Sequence, residues 1–175
     1  MSLRMAWFAI ALIGMTVTAG AQPQVPSDLE LSVAYCLGQM KDESLLAELE
    51  QIAANDPDPN CKMSAAPDYV AICRKGQQAL PDLRRDIGRL QTYLLARGFG
   101  TWASKTLPYT MAINRGKADA ADWKARVNSA EGRACFSRCL AGGADCTARC
   151  VQQLDTGGIN ARMGQCQGVL RAIPF

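Results

Sequence analysis

The stretch Cys135 to Cys150, C-F-S-R-C-L-A-G-G-A-D-C-T-A-R-C, constrains this chain more than any other. It sets two Cys-x-x-x-Cys pairs on either side of a glycine turn. A spacing of four is close to one helical turn, so Cys135 and Cys139 share one face of a helix, and Cys146 and Cys150 one face of another. Gly142 and Gly143 stop the first helix, and Asp145 is placed to cap the second. The stretch predicts an αα-hairpin. Facing Cα atoms of packed helices stand roughly 4–6 Å apart, within disulfide reach, and antiparallel order then pairs Cys139 with Cys146 and Cys135 with Cys150. A bridge within either pair is disfavoured, because Cβ atoms at i and i+4 lie about 5–6 Å apart and a disulfide needs about 3.5–4.5 Å.

Such a framework belongs in an oxidising compartment, and the N-terminus reads as a route to one. Arg4 is the only charge ahead of an apolar run from Met5 to about Val17, and Ala19-Gly20-Ala21 has the small-x-small pattern that a signal peptidase cuts after. Residues 1–21 are expected to be a signal peptide, with retention as an uncleaved anchor the alternative. The expected location is secreted, or periplasmic in a bacterium. No cysteine follows the cleavage site to carry a lipid anchor, and no later segment is long and apolar enough to span a membrane. All eight cysteines lie beyond residue 21, so four disulfides are expected. Once the hairpin is paired, three arrangements of Cys36, Cys61, Cys73 and Cys166 remain open.

The rest of the chain reads as helices. Ser27-x-x-Glu30 is a capping box, followed by an apolar stripe through Leu29, Val33, Cys36, Leu37 and Met40 that extends to Leu45, Leu49 and Ile52, with a bend or split near Gly38 or Lys41 to Ser44. Asn-Asp-Pro-Asp-Pro-Asn, 55–60, breaks the helix, since each proline drives its predecessor out of the helical region. A second helix is expected from Pro67 until Pro81 ends or kinks it, and a third from Asp82 through Leu83, Ile87, Leu90 and Leu94 to a stop at Gly98. Residues 99–118, with Gly100, Pro108 and Gly116, read as a loop or short helices carrying Phe99, Trp102 and Tyr109. A further helix from about Ala118 to Ala134, interrupted at Gly132, leads into the hairpin, and Ile159, Met163, Cys166 and Leu170 mark the last one. The expected fold is all-α: a disulfide-bonded bundle of about five helices in a single domain, 22–175.

The chain contains no histidine. That removes Ser-His and Cys-His nucleophile pairs and mixed Cys/His zinc sites. The expected function is binding, as an envelope adaptor, inhibitor or effector, with another protein or an envelope component as partner and with no cofactor. Trp102 and Tyr109 are the candidate partner surface, with packing of these aromatics onto the core as the alternative. Residues 22–100 hold 8 basic and 11 acidic residues and residues 101–175 hold 10 and 5, too small an excess to call for nucleic acid but enough to make the second half basic. Two alternatives compete. The hairpin thiolates Cys135, Cys139, Cys146 and Cys150 converge as a Cu(I) or Zn(II) site would require, or as a redox centre, although oxidation would consume the ligands. A carboxylate-only glycan-cleaving enzyme would put Glu131 forward as its acid.

Overall fold

The computed structural model of this protein describes residues 25–41, 43–139 and 143–174. The expected signal peptide, 1–21, lies outside the described residues, as does Gly142 in the hairpin turn. Seven helices are present among those described: α1 Asp28–Met40, α2 Glu43–Ala54, α3 Pro67–Ala96, α4 Ala103–Asn128, α5 Ala130–Arg138, α6 Gly143–Leu154 and α7 Ile159–Ala172. The fold is all-α and disulfide-bonded. The long first stripe is split after Met40, giving α1 and α2. Ser27 caps α1 as a full capping box, with the Glu30 N–H donating to Ser27 Oγ at 3.2 Å and the Ser27 N–H donating to Glu30 Oε2 at 2.9 Å.

Four expectations are corrected. Pro81 does not end α3, which runs through it for 30 residues. Residues 103–118 are no loop but the first part of α4, which runs through Pro108. An interior proline leaves the carbonyl four residues back without its helical donor. Those carbonyls belong to Gln77, a partly exposed residue, and Ser104, an exposed one, so each gap falls at the solvent side of its helix. The third correction is the break between α4 and α5, which falls at Ser129 rather than Gly132. Ser129 accepts the Gly132 N–H at 3.0 Å and caps α5. Asp145 likewise sits inside the first turn of α6, which opens at Gly143.

The loop after α2 is organised by a carboxylate. Asp58, 5% exposed, accepts the N–H groups of Lys62 and Met63 at 2.8 and 2.7 Å and the Tyr69 hydroxyl at 3.1 Å, and Cys61–Cys73 ties the loop to α3. The two backbone donors hold the Asp58 carboxyl below its ordinary pKa.

α1 is the hub. Val33, Ala34, Cys36 and Leu37 pack with Ile87, Leu90, Tyr93 and Leu94 of α3, Tyr109 of α4 and Cys166 and Ile173 at the C-terminal end. Its crossing with α4 is unusually close. A Cβ on Gly38 would stand 1.9 Å from the Ile113 carbonyl oxygen, and one on Gly116 would stand 2.0 Å from that of Tyr35. Gly116, a helix breaker by sequence, is kept because the backbones touch there. Gly→Ala in an open helix interior stabilises by about 0.5–1 kcal/mol. Gly76 of α3 and Gly168 of α7, with nothing near their added Cβ, should show that gain. Gly38→Ala and Gly116→Ala should instead destabilise by about 1–3 kcal/mol, because backbone rather than side chain must move. Urea denaturation of the four variants checks the opposed signs.

Candidate functional site

Two sites emerge, one of sulfur and one of a groove. In the hairpin, Cys135 is bonded to Cys150 and Cys139 to Cys146, with Cα atoms 5.8 and 5.3 Å apart. These residues and Phe136 form a small core separate from that of the bundle. Cys139, Cys146 and Cys150 bring their sulfur atoms within 4.8 Å of one another, and Cys139 Sγ and Cys150 Sγ, which are not bonded to each other, touch at 3.4 Å. Cys36 is bonded to Cys166 and Cys61 to Cys73, and no cysteine among the described residues is free.

The aromatic pair proposed from sequence divides. Tyr109 is 0% exposed and meets Phe99 edge-on at 5.8 Å, so it is a core residue and presents nothing to a partner. The reason is α4: once 103–118 is helical, Tyr109 faces α1. Trp102 remains half-exposed just before α4, with the Lys105 ammonium 5.5 Å from its ring centroid. Glu131 is exposed in the first turn of α5 and accepts Gln153 Nε2 at 3.0 Å, which ties α5 to α6.

Sequence reasoning missed the groove. It is a cavity of about 660 Å³ lined by α1, α4 and α7. One end is apolar, built by Leu31, Pro108, Met111 and Val169; the other carries Tyr35, Arg115 and Arg162. Behind that end the Tyr35 hydroxyl donates to Asp119 at 2.9 Å, and Arg162 Nε donates to the same carboxylate oxygen at 2.9 Å. Arg162 holds the Asp119 carboxyl below its ordinary pKa, with the Tyr35 hydroxyl adding to the effect. Burial first, and then the Asp119 carboxylate, push the Tyr35 hydroxyl up to about 12, so it stays a proton donor throughout the physiological range. Arg115 has no ion-pair partner among the described residues. With two guanidinium groups and one carboxylate, this end carries one net positive charge. Tyr35 and Asp119 lie 84 residues apart in the chain, and no local pattern could have announced their meeting.

The comparisons give no further identity: no family model, no curated protein and no solved structure matches the chain.

Proposed function

We propose that this is an exported scaffold, held by disulfides, that acts by binding rather than turnover, and that the groove between α1, α4 and α7 is its binding site. The carrying observation is the groove itself, about 660 Å³ of largely apolar recess with convergent polar groups at one end. Ligand pockets typically measure about 300–1,000 Å³ and combine an apolar lining with a few placed polar groups. Four disulfides and eight paired cysteines support a life in an oxidising compartment. No helix among the described residues is long and apolar enough to cross a membrane. On the strength of its disulfides, the protein acts outside the cytoplasm, in the periplasm of a bacterium or beyond.

The fluorescent anion 8-anilinonaphthalene-1-sulfonate tests the site. Native protein should bind one equivalent with enhanced emission. Ser32→Trp fills the groove from an exposed wall position, and it should abolish that binding while leaving the melting temperature unchanged. Failure of the native protein to bind, or undiminished binding by folded Ser32→Trp, overturns the groove as the site.

A second reading rests on the convergence of Cys139, Cys146 and Cys150 within 4.8 Å. A dithiol donor that gives two electrons and two protons to each hairpin bridge would free four thiols, a set suited to Cu(I) or Zn(II). It requires alkylatable thiols at these positions in the native protein.

A further inference from the structure

We infer that the groove takes a single-chain amphiphile with one anionic head, of the medium-chain fatty acid class, its carboxylate at Arg115 and its tail toward Leu31 and Val169. This rests on the groove being the binding site and goes on to name its ligand. The polarity of the lining runs along the helices. On α4, Pro108, Met111 and Arg115 follow at intervals of three and four, so they share one face, and the face changes from apolar to cationic within two turns. On α7 the gradient has the same polarity in space, with Arg162 at the charged end and Val169 two turns away. Seven residues at about 1.5 Å rise make this face about 10 Å long, which suits a tail of medium length and not a long one.

The head is set by charge and by donors. Arg162 is already paired with Asp119, and Arg115 is the cation left over. The net single positive charge complements one carboxylate. A cationic head would meet two guanidinium groups, and an uncharged head would leave the single net positive charge of this end uncompensated, since Arg162 and Arg115 both act on the one Asp119 carboxylate. Gln165, which also lines the groove one turn from Arg162, offers a further donor to a carboxylate. The excess of basic residues after residue 100 is thereby given a local task, since both arginines belong to it.

Calorimetric titration of the processed chain with octanoate, decanoate and dodecanoate, all below micelle formation, tests the assignment. One equivalent should bind, with affinity rising about two- to fourfold per added CH₂ from octanoate to decanoate as the tail is buried, and with little further gain at dodecanoate, whose tail outruns the face. Decanoate should bind about fivefold more tightly than decanol, and Arg115→Gln should erase that difference without changing decanol affinity, the size expected of one exposed ion pair. Equal affinity for decanoate and decyltrimethylammonium overturns the anionic head, and affinity flat from octanoate to decanoate overturns the tail. Binding of the naphthalene sulfonate without binding of any carboxylate rejects this ligand class and leaves the groove intact; loss of both rejects the groove as well. Depletion of the protein by phosphatidylglycerol vesicles, with no binding of free carboxylates, would overturn the fatty acid in favour of a membrane surface.

Discussion

Replacing Cys36 and Cys166 together by alanine is expected to destabilise the protein by about 5 kcal/mol, the largest effect of any change of two residues considered. The bridge joins α1 to α7 across a sequence separation of 130, and both residues are buried, at 1% and 2% exposure. In the chain-entropy account a loop of that length stabilises the native state by about 5 kcal/mol, against about 3 kcal/mol for a loop of a dozen residues. Domains of this size are stable by only about 5–15 kcal/mol, so the variant should be at or near the threshold of folding at 37 °C. Removing the short-range bridge Cys61–Cys73, at a separation of 12, should cost less and leave the bundle cooperative. Guanidinium unfolding of the two variants checks the order. Equal losses would mean that the long bridge does not constrain the unfolded chain as described.

The second large effect concerns a buried charge. Lys105 and Glu30 are each 4% exposed, and the ammonium sits 3.1 and 3.2 Å from the two carboxylate oxygens. Lys105→Met should cost about 3–5 kcal/mol at pH 7, because it leaves the carboxylate buried without its cation. Glu30→Gln combined with Lys105→Met should recover much of that loss, since glutamine keeps the capping box with Ser27 and carries no charge. The pH dependence has a definite sign. Burial pushes the Glu30 carboxyl up, but the Ser27 N–H and the Lys105 ammonium outweigh it and hold the folded-state pKa below the ordinary 4.5. The stability this shift contributes is therefore present above pH 4.5 and is lost as pH falls through the folded-state value. In Lys105→Met one opposing interaction is gone and burial gains weight, so the stability gap to the native protein should narrow between pH 7 and pH 3. A gap that stays constant would show that the loss comes from packing rather than from charge.

The parts legible in the sequence are those set by neighbours along the chain. Ser27 and Glu30 are three apart, the Asn55 to Asn60 loop is dictated by its prolines, and the twin Cys-x-x-x-Cys spacing implies its own pairing. What the sequence hid depends on distant partners. Pro108 and Gly116 are breakers by local preference, yet α4 runs through both, because one frees only an exposed carbonyl and the other lets α1 approach to backbone contact. For that reason 99–118 read as a loop or short helices, and Tyr109, which the continuous helix turns into the core, reads as a candidate for the surface. The Cys36–Cys166 bridge and the Tyr35, Asp119 and Arg162 cluster join α1 to elements more than 80 residues further on, and no periodicity reports such a meeting.

Binding at the groove of an exported scaffold requires that the cysteines be structural and that the protein leave the cytoplasm. Both are tested by the intact mass of the full-length gene product recovered from the extracytoplasmic fraction and alkylated without reduction. The expected mass begins at Gln22, carries no alkyl group and is eight hydrogens below that of the reduced chain, as four bridges require. Alkyl groups on Cys135, Cys139, Cys146 and Cys150, or a chain that still begins at Met1, would contradict it, and the hairpin sulfurs would then be the site to pursue in place of the groove.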